Sequence, residues 1–154
     1  MNQLLGGKQF TIPCSIFNNR LQVKLSALAD SGANGFLFLN KRLGPGFSKH
    51  LSLSTRQLNY LIKIRGFDRV ITNQVNKYYF ANFKVDGRYF KNLPLLLLDL
   101  GSHDIIIGKT FFAHFDIKLD ISALKLIWPV GLDPNRSYQS FFQLDKGDIQ
   151  QQSL

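Results

Sequence analysis

Asp30-Ser31-Gly32 is the tripeptide whose residue types and setting point most directly to chemistry. The carboxylate follows Leu28 and Ala29 and precedes the apolar run Phe36-Leu37-Phe38-Leu39, so it stands where a buried strand ends in a tight turn. A carboxylate half withdrawn from water is costly unless something compensates or uses it. Gly32 lets the chain turn sharply and lets another backbone approach closely. The Ser31 hydroxyl can lock the turn by hydrogen bonding. Asp-Ser-Gly is also an ordinary turn sequence. Its context sets it apart: an apolar strand before, an apolar strand after, and a distant Ile105-Ile106-Ile107-Gly108 able to pack beside it.

Other chemistries find less support. His50, His103 and His114 lack the spacing of a metal site, and Cys14 has no Cys-x-x-Cys partner. Neither a metal nor a cofactor is expected. Ser31 as a nucleophile would need a histidine base that the local sequence does not offer. Asp68, Asp99, Asp104 and Asp120 read as turn or ladder-end residues, with Asp104 alternatively shaping a substrate subsite.

The elements that would position Asp30 are short strands. Over residues 9–17, Phe10, Ile12, Cys14 and Ile16 alternate with polar or small residues, the period of a strand with one face buried. Pro13 donates no ladder hydrogen bond, so this strand is expected at an edge, or with Pro13 turned from its partner. Asn18-Asn19 makes a tight turn, and residues 20–29 return with Leu21, Val23, Leu25, Ala27 and Ala29 on one face. Leu43-Gly44-Pro45-Gly46 reads as a loop, followed by a mixed stretch to Tyr60 that fits either a short helix or an irregular loop. Residues 61–71 read as a hairpin around Gly66-Phe67-Asp68-Arg69, and Asp86-Gly87 is the strongest two-residue hairpin signal in the chain. Ile105-Ile106-Ile107 fits a strand buried on both faces. Phe111, Phe112 and Phe115 have helical spacing, and residues 117–128 read as a closing hairpin or strand pair. Many short strands with almost no helix imply an all-β barrel or sandwich.

A chain of 154 residues is a one-domain length. Flexible ends are expected at 1–8 and 131–154 around a domain at 9–130. With a single cysteine, no internal disulfide can form, which fits a reducing compartment. Nothing resembles a signal peptide, and the longest apolar stretch, 93–98, is too short to cross a membrane. A cytoplasmic protein without membrane contact is the expectation. The net charge of +9 is spread over scattered Lys and Arg. It fits a solvated basic surface and leaves open attraction to nucleic acid, which the reading does not require.

Leu28-Ala29-Asp30-Ser31-Gly32-Ala33 resembles the active-site motif of retropepsin-like aspartic proteases, most similar to those of long-terminal-repeat retrotransposons. Asp104 to Gly108, with Phe111, Phe112 and Phe115 and the later Ile117, Asp120 and Ile127-Trp128, resembles the second family signature. Gly66-Phe67-Asp68 resembles the region leading into the flap, the hairpin that closes over substrate. Arg69 stands where relatives often carry a second flap glycine, and Lys109-Thr110 differs from the usual residues after the glycine.

The resemblance implies an acid protease barrel with a flap hairpin and one short helix, one lobe per chain. It implies Asp30 as the catalytic carboxylate, with Ser31, Gly32 and Ala33 in the active-site loop. Ile64, Gly66, Phe67 and Asp68 would form the flap and contact substrate, and Ile107 and Gly108 would form a subsite wall. Only one such motif is present, so the second carboxylate must come from a symmetric partner, which gives a homodimer acting on a peptide or retroelement polyprotein. Ala33, Ile62, Ile64, Phe67 and Ile107 together would favour apolar side chains. Two other readings stand beside it: a catalytically inactive peptide-binding or dimerisation module on the same fold, and a basic nucleic-acid-binding domain.

Overall fold

The computed structural model describes residues 9–65, 71–132 and 151–153. Strand β1 (Thr11–Asn18) buries Ile12, Cys14 and Ile16 on one face, as the alternation requires. It turns through Asn19, at φ 56°, into β2 (Leu21–Ala29). Asparagine tolerates this left-handed conformation better than most residues. The inward face of β2 grows more buried along its length, from exposed Leu21 to buried Ala27 and Ala29.

The short β3 (Leu37–Asn40) is buried throughout. A turn of 3₁₀-helix (Lys41–Leu43) leads into helix α1 (Gly44–His50). The Gly44-Pro45-Gly46 stretch expected as a loop therefore opens a helix. Proline fits there because the first helical turn has no use for its missing N–H and its φ is already suitable.

Strands β4 (Arg56–Arg65) and β5 (Ile71–Val85) form the hairpin expected around residues 61–71. Its tip, with Gly66, Phe67 and Asp68, lies outside the described residues. The β5 strand turns through Asp86 and Gly87, at φ 50° and 77°, into β6 (Arg88–Leu98). Two successive positive φ values match the right-handed twist of the flanking strands. Then come β7 (Ile105–Ile107), helix α2 (Lys109–His114), and the hairpin of β8 (Lys118–Asp120) with β9 (Lys125–Ile127). A final short strand, β10 (Gln151–Ser153), runs parallel to the outer edge of β4.

The order β1-β2-β7-β3-β6-β5 returns to β1 through a direct β1–β5 pairing. Six strands thus close a mixed barrel, in agreement with the expected all-β, one-lobe architecture. The short helix expected after β7 is α2; α1 is a second one, in the stretch that the sequence left open. Far from being an edge strand, β1 has β2 on one side and β5 on the other, and Pro13 lies just before the β5 pairing begins at Cys14. Pro94 in β6 likewise precedes the β3 pairing, which begins at Leu96. Each proline sits where a third strand has not yet joined, so its missing donor costs the ladder little.

The feature that shapes the rest is the place of β7. It lies between β2 and β3, parallel to the first and antiparallel to the second, with Ala29, Ile107 and Leu37 aligned. Its three isoleucines are fully buried, because both edges and both faces are covered. Beneath this unit Phe36, Phe90, Phe111 and Phe115 pack ring to ring, with centroids of Phe90 and Phe115 4.7 Å apart and of Phe36 and Phe111 5.3 Å apart. Offset and edge-on contacts of this kind add to simple area burial.

Candidate active site

Asp30 follows the last residue of β2 and is tied to the sheet by its own backbone. Its N–H donates to the Ile107 carbonyl at 3.0 Å, and the Ala29 N–H donates to the Phe10 carbonyl at 2.8 Å. The loop then folds back on the aspartate. The Gly32 N–H donates to Asp30 Oδ1 at 2.9 Å, and the Ala33 N–H to the Asp30 carbonyl at 3.1 Å. Asp30 is half-buried, Ser31 and Gly32 are exposed, and Ala33 is buried. The carboxylate is thus held at the surface, with one oxygen fixed by a main-chain donor.

Glycine at 32 serves space rather than an unusual φ. A Cβ there would stand 3.2 Å from Asp30 Oδ1, tighter than most such contacts. The sharp turn expected of Gly32 is made without a positive φ.

The second motif clasps the first from behind. Gly108 N–H donates to the Phe36 carbonyl at 2.9 Å, Lys109 N–H to that of Ala33 at 2.8 Å, and Thr110 N–H to that of Gly35 at 3.0 Å. The backbones come so close that a Cβ on Gly108 would lie 2.1 Å from the Gly35 carbonyl oxygen. No side chain fits there. Lys109 and Thr110 contribute main-chain N–H groups, which any residue but proline supplies. Side-chain identity at these two positions therefore leaves this clasp intact.

Ile107 and Gly108, expected as a subsite wall, are buried in the single chain. What Ile107 gives the loop is its carbonyl. Ile64 belongs to β4, opposite Asn73. Gly66, Phe67 and Asp68, expected to form the flap and contact substrate, lie outside the described residues. Asp104 sits at the other end of β7 from Asp30, where it accepts from the Ser26 N–H and pairs with Arg42 at 3.2 Å. That end is not where the Asp30 loop lies, so a shared subsite with Asp30 is not formed within one chain. Asp99 and Asp120 do act as turn residues, accepting from the N–H groups of Gly101 and Ala123. The Asp120 carboxyl is held below its ordinary range by the Ala123 N–H and the Ser122 hydroxyl.

Two positions escaped sequence reasoning. Gly35 is one; the glycine three residues after Gly32 is its only local signal. Asn40 is the other. It is 2% exposed, and its amide donates to the Gly101 and His103 carbonyls at 2.9 Å each while its oxygen accepts from Arg42 N–H. A buried asparagine so fully bonded pins the turn before β7 to the end of β3.

Beside Ser31 lies a shallow hollow of about 410 Å³, bordered by Lys109, Phe112, Ile117 and Ile121. A second cavity, of about 820 Å³, is elsewhere, past Asn40 at the far end of β3. Among the described residues no group of three His, Cys, Asp or Glu side chains could hold a metal ion, and no helix is long and apolar enough to cross a membrane.

Comparison with known proteins agrees with the architecture. No family model matches the chain, and no curated protein matches its sequence. Among solved structures, the retroviral protease-like domain of Ddi1 from Leishmania major superposes with a TM-score of 0.56 at 19% identity, covering 84% of this chain and 98% of that one. At that identity the likeness concerns fold. The chain has the retropepsin-like, one-lobe barrel of that domain, built around a β7 strand that lies beside β2 and the Asp30 loop that follows it.

Proposed function

We propose that this protein is an aspartic endopeptidase that acts as a symmetric homodimer, each copy supplying Asp30 to a dyad on the two-fold axis. The observation that carries the reading is the Asp30 loop itself: a surface carboxylate with one oxygen fixed by the Gly32 N–H, on a loop clasped by Gly108, Lys109 and Thr110. Peptide hydrolysis by this route needs one carboxylate to activate water and one to protonate the substrate. Two carboxylates about 4 Å apart repel by roughly 4 kcal/mol at an effective dielectric near 20. They therefore share one proton, and acid and base coexist over a usable pH range. One chain holds one such loop, so two copies are required.

The surface around the loop favours a second copy. The Ser31 hollow is bordered by Phe112, Ile117, Leu119 and Ile121, and Ile121 exposes 56% of its surface there. Covering such groups is what a self-complementary interface does. In this reading Ser31 reaches toward the partner's loop, and the hairpin tip carrying Gly66, Phe67 and Asp68 closes over an extended polypeptide. The substrate class is a polyprotein such as a retroelement encodes.

The test is cleavage of a peptide library between about pH 4 and 7. Wild type is compared with Asp30→Asn, with and without an active-site-directed aspartic protease inhibitor. Inhibitor-sensitive cleavage lost in Asp30→Asn is the expected result. Undiminished cleavage by Asp30→Asn rules the dyad out, and peptide binding without turnover by wild type replaces it with an inactive binding module.

A further inference from the structure

The cavity past Asn40 has no part in the chemistry above. Ala29 and Leu37 mark the Asp30 end of the β2-β7-β3 unit, and Asn40 and Asp104 the opposite end, about 10 Å of strand away. Four cations from three separate segments line it, Lys41, Arg42, Arg56 and Lys77, against one carboxylate, Asp99. The Asp99 carboxylate is already engaged by the Gly101 N–H.

Two of the four are held in place before any ligand arrives. The Arg42 guanidinium is paired to Asp104 at 3.2 Å, and its backbone N–H donates to Asn40 Oδ1. The Arg56 guanidinium lies over the Phe80 ring, 4.9 Å from its centroid. Side chains fixed in advance lose less freedom on binding.

The floor has a complementary character. Tyr79 is 1% exposed, and its hydroxyl donates to the Gly44 carbonyl at 2.7 Å. That uses its only proton, so the neighbouring hydroxyls of Ser48, at 2.7 Å, and Thr55, at 3.2 Å, both donate to Tyr79. Both then offer lone pairs to the cavity. A ligand here meets cations at the walls and acceptors at the floor.

We propose that this cavity binds the phosphate groups of a nucleotide, either free or within a single-stranded nucleic acid. Phosphate suits guanidinium forks bidentately. The amino and hydroxyl groups of the nucleoside supply donors for the Ser48 and Thr55 oxygens. A volume of about 820 Å³ is within the range of small-ligand sites. An acidic peptide would satisfy the walls as well, and direct titration separates the two.

The test is calorimetric titration of the full chain with adenosine triphosphate, with a single-stranded RNA of about ten nucleotides, and with a glutamate-rich peptide, at about 0.15 M salt. Expected is binding of the triphosphate, weakened about tenfold by Lys77→Ala and by Arg42→Ala, and also weakened by Arg56→Lys, which keeps the charge but loses the fork. Lys24→Ala, an exposed cation on β2 outside the cavity, changes affinity less than about twofold. Tighter binding of the RNA with the same dependence on the cavity assigns the site to a strand; equal or weaker RNA binding assigns it to the free nucleotide. Thermal melting checks each fold, and if Arg42→Ala unfolds, Lys77→Ala decides. Absence of binding by both phosphate probes overturns the proposal. So does equal weakening by Lys24→Ala, or preference for the acidic peptide. None of these results bears on Asp30.

Discussion

At one end of strands β2, β7 and β3 a single carboxylate is positioned by main-chain groups; at the other, four cations are arranged partly by side chains. The Asp30 loop takes its shape from N–H and C=O groups of Gly32, Ala33, Gly35, Phe36 and residues 107–110. The basic cavity takes its shape from Asn40, Asp104, Phe80 and Tyr79 side chains. Backbone scaffolding gives rigidity but only one carboxylate per chain, so the proposed dyad requires a second copy. Side-chain scaffolding is complete within one chain and tolerates substitution more gradually.

Breaking the first end should have the larger effect. Asp30→Asn is expected to lower peptide cleavage by about 10³-fold or more, with melting temperature nearly unchanged, since the Gly32 N–H still finds an oxygen acceptor. Paired cleavage assays and melting curves check this. Next comes Gly108→Ala, which drives a methyl group against the Gly35 carbonyl. A cost of about 3 kcal/mol or more is expected in denaturant titration, because backbone must move on both sides.

The second end should yield less steeply. Tyr79→Phe deletes a donor and leaves the Gly44 carbonyl and two hydroxyls to find other partners, for about 1–2 kcal/mol in the same titration. The barrel between the two ends carries a pH signature of its own. Burial, with a smaller contribution from the nearby Asp104 charge, pushes the Cys14 thiol up from its ordinary value of 9.0 to about 12. Folding therefore favours the protonated thiol. Its contribution is fully present below about pH 9 and is lost as pH rises toward about 12. Between pH 8 and 10 the wild type should lose about 1.4 kcal/mol more than Cys14→Ala, read from unfolding curves at each pH. The smallest effect is a gain: Gly46→Ala in α1 meets open space and should stabilise by up to about 1 kcal/mol. Gly46 lies in the first turn of α1 and Gly108 caps the start of α2, yet opposite signs are expected.

The two ends were also unequally legible in the sequence. Period-two alternation marked β1 and β2, Asp86-Gly87 marked the β5–β6 turn, and three consecutive isoleucines marked β7 as buried on both faces. Asp30 stood out because its apolar flanks are contiguous with it. The clasp did not, because Gly35 and Gly108 meet only when β7 slides between β2 and β3, a long-range event that leaves no local pattern. Helix α1 was hidden because Gly-Pro-Gly reads as a loop unless the first-turn place of Pro45 is known. The basic cavity was hidden for the same reason as the clasp: Lys41, Arg42, Arg56 and Lys77 are scattered in sequence and converge only in the fold. A scattered charge of +9 therefore looked like surface, although part of it is focused.

The claim that one carboxylate per copy makes the dyad is tested most directly by mixing. Wild type and Asp30→Asn are refolded together at constant total concentration, and cleavage is measured against the fraction of wild type. A dyad shared between copies requires activity to fall with the square of that fraction, to about one quarter at an equal mixture. A linear fall, to about one half, would mean that each chain works alone and would contradict the two-copy site.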